Sequence, residues 1–212
     1  MILNNEPRIE FLNMDNMDFM KSVPDNYFEL AIVDPPYGIG VNHNIGRRKG
    51  DKPSNYKTAL WDNSAPEKEY FNELLRVSVN QIIWGANHFI SLIPFDSPCW
   101  LMWDKGFAED VTFAQFELAW TSFKTTCKKF DKSPNQLNRI HPTQKPVALY
   151  KWLLKNYAKQ GDKIRDTHGG SFSSAIACYE MGFDFTGIEL DEEYFNNAVN
   201  RFETHKSQLK LF

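Results

Sequence analysis

The chain has no run of eighteen apolar residues, so nothing in it predicts a membrane-spanning helix. Its opening, Met1 to Arg8, lacks the apolar core that marks an export signal. Cysteine is scarce: Cys99, Cys127 and Cys178 are widely spaced, with no CxxC pair and no zinc-ligand spacing. Three such thiols fit a reduced, cytoplasmic setting better than a disulfide scaffold. A general excess of positive charge is missing too. The net charge is −3, which excludes a broadly basic coat over nucleic acid. No GxGxxG follows the apolar runs before Asp34 or Asp166, which argues against a nicotinamide-dependent dehydrogenase.

What is present suits one α/β domain spanning residues 1–212. Hydrophobic residues make up 42% and aromatics 15%, enough for a substantial core. Charge is uneven. Arg47, Arg48, Lys49, Lys52 and Lys57 lie together, as do Lys124, Lys128, Lys129, Lys132 and Arg139. Such groups occur on solvated faces, and they also suit contacts to phosphates.

The stretch that organises the chain is Leu30-Ala31-Ile32-Val33-Asp34-Pro35-Pro36-Tyr37. A short apolar run bounded at once by a polar residue and two prolines reads as a buried parallel strand. The prolines cannot continue a ladder and hold their neighbours extended. Asp34 and Tyr37 are therefore fixed in a stiff turn at the carboxyl end of a strand, where open α/β sheets bind ligands.

Before it, Arg8 to Asn13 is β-like, Asp15 to about Lys21 is helical and Pro24-Asp25-Asn26 is a turn, which together predict a β-α-β unit. Gly38 to Asn63 lacks periodicity and predicts a long loop, either functional or disordered, whose basic residues suit a mobile segment that closes over DNA. Ser64-Ala65-Pro66-Glu67 predicts a capping box ahead of a helix with Tyr70, Phe71, Leu74 and Leu75 on one face. Strands follow at Gln81–Gly85, Cys99–Lys105 and Phe116–Phe123. Thr125 to Arg139 is polar and basic. His141-Pro142-Thr143-Gln144-Lys145-Pro146 opens an amphipathic helix, whose N-terminal amides attract anions. Lys163–Asp166 is a strand, Thr167 to Ser171 its glycine loop, and Ala175 to Gly182 a helix with a glycine C-cap. Phe185–Glu189 is the next strand. Glu189 lies about twenty residues past the loop, the spacing at which an acid reaches ribose hydroxyls. Asp191 is the expected cap of the last helix.

Asp34-Pro35-Pro36-Tyr37 resembles the catalytic tetrapeptide of S-adenosylmethionine-dependent DNA amino-methyltransferases. Trp84-Gly85-Ala86-Asn87, Trp103-Asp104-Lys105 and Glu117-Leu118-Ala119-Trp120 resemble later motifs of that family, in its order. His141 to Pro146 is highly specific to it. The resemblance covers nearly the whole chain. It implies a Rossmann-like α/β methyltransferase fold with a mostly parallel seven-stranded sheet, helices on both faces and a circularly permuted order. Phe116–Phe123 is the candidate antiparallel strand. It also implies S-adenosylmethionine as cofactor and double-stranded DNA as partner, with Asp34, Pro35, Pro36 and Tyr37 at the reacting amine. Asp15 would lie near the cofactor adenine, although Asp also suits a helix cap. Thr143, Gln144 and Lys145 would lie near the methionine carboxylate, with Asp166, Gly169, Gly170, Ser171 and Glu189 along the rest of the cofactor.

Two departures stand out. Relatives usually read Asp-Pro-Phe-x-Gly-Ser-Gly-Thr at the cofactor loop, where this chain reads Asp166-Thr167-His168-Gly169-Gly170-Ser171-Phe172-Ser173. Proline and phenylalanine are replaced by Thr167 and His168, and the second glycine by Phe172. Relatives of this motif order also usually insert a separate recognition domain before the His-Pro-Thr-Gln-Lys-Pro segment. Only Lys124 to Arg139 is available here, so target reading would come from the loops, from a second subunit in a homodimer, or hardly at all. The residues favour adenine N6, since relatives acting on cytosine N4 more often carry Ser at the first tetrapeptide position. RNA or protein-glutamine methylation, and DNA binding without methyl transfer, are the alternatives.

Overall fold

The computed structural model describes residues 6–40, 62, 64–107, 114–134 and 139–209. The basic group from Arg47 to Lys57, and most of the long loop that holds it, lie outside the described residues. Eight strands form one sheet: β1 (Ile9–Leu12), β2 (Phe28–Val33), β3 (Ser78–Trp84), β4 (Trp100–Asp104), β5 (Phe116–Thr121), β6 (Lys128–Asp131), β7 (Lys163–Asp166) and β8 (Asp184–Ile188). Among the described residues five α-helices complete it: α1 (Asn16–Ser22), α2 (Lys68–Val77), α3 (Val147–Tyr157), α4 (Ser173–Met181) and α5 (Glu192–Leu209).

The strand order is β1-β8-β7-β2-β3-β5-β4-β6. β5 runs antiparallel to both its neighbours, β3 and β4, and every other pair is parallel. The antiparallel strand is the one expected. The count of seven is not: β6 adds an eighth strand, at the edge beside β4. Its sequence, Lys-Lys-Phe-Asp, carries charges as edge strands commonly do, which disguises it as loop.

The central strands are continuous hydrophobic runs because both sheet faces are covered. In β2 every residue but Glu29 is buried. From Leu30 onward alternate side chains enter two separate cores, and Phe28 at the start of the strand turns to the second. Leu30 and Ile32 face α3, α4 and α5 through Leu149, Leu153, Ile176 and Phe202. Phe28, Ala31 and Val33 face α1 and α2 through Met20, Phe71 and Leu74.

The topology decides where the site lies. β1 and β2 are joined by α1, yet they are not neighbours; β8 and β7, from the far end of the chain, lie between them. β7 pairs directly with β2, placing Ile164 beside Leu30 and Arg165 beside Ala31. α2 follows β2 on one face and α4 follows β7 on the other. The β2–β7 boundary is thus a topological switch point, where such sheets open a crevice.

One expected helix start is corrected. α2 begins at Lys68, after Glu67, and no side chain caps it. Ser64 and Pro66 therefore precede the helix and do not form its first turn. By contrast, Asp191 caps α5 as expected, its Oδ1 accepting from the amides of Glu193 at 2.9 Å and Tyr194 at 3.0 Å. Among the described residues, no helix is long and apolar enough to cross a membrane.

Candidate active site

β2 ends at Val33 and delivers Asp34 to the crevice. The turn after it is pinned from below by Asp62. Its Oδ1 accepts from the amides of Tyr37 at 2.7 Å and Gly38 at 3.1 Å. The Tyr37 ring stacks on His88 with centroids 5.0 Å apart. Gly85, at φ +69°, makes this placement possible, since a Cβ there would fall 2.0 Å from the Tyr37 ring.

Asp34 sits in a buried charge network. The Lys145 ammonium contacts Asp34 Oδ2 and lies 2.9 Å from Glu117 Oε2. The Tyr37 hydroxyl donates to Asp34 Oδ1 at 2.7 Å and reaches Glu117 Oε2 at 3.3 Å. Lys105 closes the far side, 2.6 Å from Glu117 Oε1. Only 3% of the Lys145 side chain is exposed. Burial raises the Asp34 carboxyl above the usual range, and the Lys145 charge offsets part of that rise. Burial acts on Glu117 as well, but the ammonium groups of Lys145 and Lys105 outweigh it and bring Glu117 down to about 2. Burial would lower Lys145; Asp34 and Glu117 together hold it above its usual value.

The second wall is the loop after β7. Asp166 Oδ1 accepts from the His168 amide at 3.1 Å and Oδ2 from the Ser174 hydroxyl at 2.7 Å. Burial pushes Asp166 up to about 7. Glu189, at the end of β8, accepts from the Gly170 amide at 2.8 Å and the Asp191 amide at 2.9 Å. Arg201 from α5 donates to the Ser171 carbonyl at 2.6 Å, bracing the loop.

This loop is rebuilt around its departures from the family pattern. Phe172 adopts φ +48°, left-handed backbone that favours glycine over a residue with a side chain. Its ring is fully buried and packs 4.6 Å from the ring of Phe11. Two glycines clear the space. A Cβ on Gly169 would lie 1.9 Å from the Phe172 ring, and one on Gly187 2.7 Å from it. The substituted pair is also partnered. Thr167 Oγ1 meets the Tyr70 hydroxyl at 2.7 Å and His168 Nδ1 at 2.9 Å, while His168 Nε2 meets Asn16 Nδ2 at 3.2 Å. Burial brings His168 down to about 3, so the ring is neutral.

The two walls enclose one cavity of about 230 Å³. Of the residues singled out from the sequence, Asp34, Pro36, Thr143, Gln144, Lys145, Gly169, Gly170, Ser171 and Glu189 line it. Four do not. Pro35 is buried behind the lining. Tyr37 is held against His88 and the charge network. Asp166 ties the loop together from behind. Asp15 caps α1, accepting from the amides of Met17 at 2.7 Å and Asp18 at 3.2 Å, and its neighbours Met14 and Asn16 line the cavity in its place. Lys145 also differs from expectation: its ammonium is committed to Asp34 and Glu117. Sequence reading passed over Asn16, Asp62, Lys105, Glu117 and His168 as contributors. Glu117 and Lys105, inside family-like motifs, carried some signal, as did His168, which stands in the cofactor loop where relatives carry phenylalanine. The second basic group is partly neutralised, with Lys129 paired to Asp131 at 2.7 Å and Asp104 at 3.4 Å.

Comparison with known proteins agrees with this geometry. YubD of Escherichia coli strain K12, named as a methylase, is 26% identical over 211 residues, covering 90% of this chain and 88% of that protein. The type II methyltransferase M2.DpnII of Streptococcus pneumoniae is 34% identical over 89 residues, 42% of this chain and 31% of that protein. The DNA adenine methyltransferase YhdJ of Escherichia coli strain K12 is 36% identical over 63 residues, 30% of this chain and 21% of that protein. Among solved structures, the M1.HpyAVI–SAM complex superposes with a TM-score of 0.60 at 21% identity, covering 91% of this chain and 98% of that one. The cytosine-N4-specific PvuII DNA methyltransferase superposes with a TM-score of 0.63 at 12% identity, covering 96% and 92%. At those identities the likeness speaks for the fold. A family profile described as DNA methylase matches residues 81–200, more than half of the chain, and the chain belongs to that N6/N4 DNA methylase family.

Proposed function

We propose that this protein transfers a methyl group from S-adenosylmethionine to the exocyclic N6 of an adenine flipped out of double-stranded DNA. One observation carries the reading: the Asp34 carboxylate and the Gly169–Gly170 turn open onto the same cavity, although 135 residues separate Asp34 from Gly169 in sequence.

The cavity residues fit the cofactor. Gly169 and Gly170 bring bare backbone to the wall. Glu189 presents a carboxylate at the end of β8, where ribose hydroxyls are held in such sheets. Asn16 Oδ1 is buried with no hydrogen-bond partner among the described residues, an acceptor suited to an exocyclic amine. When bound, S-adenosylmethionine supplies an electrophilic methyl on a sulfonium. The rest of the task falls to the chain. An aromatic amine is a poor nucleophile because its lone pair is delocalised into the ring. Asp34, on the cavity wall, accepts one of its hydrogens and favours a more tetrahedral nitrogen; the Pro35 carbonyl, set behind the lining, accepts the second only if the turn opens toward the base. The transfer would exchange the sulfonium carbon–sulfur bond for the new carbon–nitrogen bond and release a neutral thioether, and Asp34 is placed to accept the proton that the nitrogen sheds. Holding the reactants in line contributes much of the acceleration. The target must leave the duplex, and to stack on Tyr37 it must meet the ring face turned away from His88.

Adenine is favoured over cytosine by Asp34 at the first tetrapeptide position and by the name of YhdJ. Methylating a random DNA pool, then digesting it and identifying the nucleosides by mass spectrometry, tests this. N6-methyldeoxyadenosine is expected; N4-methyldeoxycytidine would replace the adenine reading, and methyl groups on RNA or protein alone would overturn the DNA reading.

A further inference from the structure

Asp34 poses a problem of access. Each of its oxygens already accepts one donor, Oδ1 from the Tyr37 hydroxyl and Oδ2 from the Lys145 ammonium. A target amine must either add to these donors at the remaining lone pairs or displace one of them. The same two donors share a second acceptor. Tyr37 and Lys145 each also reach Glu117 Oε2, at 3.3 Å and 2.9 Å. Glu117 comes from β5, the antiparallel strand, and is held on its other oxygen by Lys105. It is placed to take up whatever Asp34 releases, with no large movement.

We infer that Lys145 and Glu117 are positioning residues for Asp34: Lys145 keeps the buried carboxylate ionised and oriented, and Glu117 receives Lys145 and Tyr37 when Asp34 turns to the amine. This rests on the functional reading above for its purpose, but not for its test. It also moves Lys145 away from the cofactor carboxylate and onto the acceptor side.

The charges around Asp34 fix the sign of each effect. Lys145, preceding α3, and Lys105, following β4, favour its ionised form. Glu117 on β5 and Asp166 at the tip of β7 oppose it. The hydroxyls of Tyr37, Tyr70 and Tyr150 are neutral, each raised first by burial. Removing Glu117's charge should therefore make Asp34 easier to ionise, and removing Lys145's charge should make it harder. A purely structural role for either residue would give no such opposition of sign.

The direct test is a ¹³C carboxyl NMR titration of Asp34 in the full chain without DNA or cofactor, the signal assigned by its loss in Asp34→Asn. Glu117→Gln is expected to lower the Asp34 pKa by about one pH unit, and Lys145→Met to raise it by at least as much. In steady state, the acid limb of the kcat–pH profile should move the same way in each variant, while the KM for S-adenosylmethionine stays put. Shifts of the same sign, or none, overturn the inference. Circular dichroism checks folding. Should Lys145→Met not fold, Glu117→Gln decides alone: a fall supports the inference, and no change or a rise ends it. Because the titration needs no substrate, a protein that fails to methylate DNA would defeat the functional reading and leave this result standing on its own.

Discussion

Single residues in this protein carry costs that only the site or the core explains. Arg165 is the clearest. It lies on the central strand β7, fully buried, with its guanidinium 4.5 Å from the Phe19 ring and 5.1 Å from the Phe28 ring. None of its side-chain nitrogens has a hydrogen-bond partner among the described residues, and burial lowers it to about 10. A buried donor left unmet costs about 1–3 kcal/mol. Arg165→Met keeps the length and removes the charge, so urea unfolding should show a more stable protein, by about 1 kcal/mol or more. Gly169 gives the opposite case. Its missing Cβ is the space in which the Phe172 ring sits. Gly169→Ala should lower stability by about 1–3 kcal/mol and weaken cofactor binding measured by calorimetry. Neither residue could be read correctly from sequence. Arg165 in the short, mostly charged strand Lys163–Asp166 gives no sign that it is buried without a partner, and the Gly-Gly pair signalled backbone approach without revealing that a phenylalanine had taken the third place.

At the scale of elements, continuous apolar runs were legible and alternating charged ones were not. Leu30–Val33 and Gln81–Trp84 are buried on both faces, so burial alone marks them as central strands. β5 could be identified through its place in the motif order, and its antiparallel pairing to β3 and β4 agrees. β6 was hidden because its exposed positions carry Lys129 and Asp131, which pair with each other across the strand edge. The start of α2 was misread for another reason: a capping pattern describes local preference, and here no side chain closes the first turn. The tip of β2 depends on its neighbours in the same way. Gly85 sits at φ +69° against the Tyr37 ring. Gly85→Ala should strain that turn and displace Tyr37, reducing kcat by at least about tenfold, as small misplacements of reacting groups do. Circular dichroism should show the fold retained.

The whole molecule brings together residues that sequence distance keeps apart. Permutation inserts β7 and β8 between β1 and β2, and so the Asp34 strand tip from one end of the chain meets a glycine loop from the other. The motifs could be recognised one by one, but their meeting in one cavity follows from strand order. Burial of this crevice also has a consequence for pH. His168 stays neutral in the folded state, with its pKa lowered to about 3, whereas an unfolded histidine titrates near 6.5. Its folded value is depressed, so acidification below 6.5 protonates the unfolded chain first and favours unfolding. Asp166, raised to about 7, acts in the opposite sense, since the folded state takes its proton first. The difference between the parent and a His168→Gln variant isolates the histidine. Urea unfolding at pH 6 and pH 4.5 should show the parent losing about 1.4 kcal/mol per pH unit more than the variant.

The measurement that bears most directly on the central claim is methyl transfer by an Asp34→Ala protein loaded with S-adenosylmethionine. Calorimetry first confirms that the loading is normal. Transfer to DNA should then fall by a factor of about 10³ or more, because the amine has lost its acceptor while the neighbouring cofactor wall is intact. Transfer at the parent rate, with the cofactor bound as before, would contradict the account.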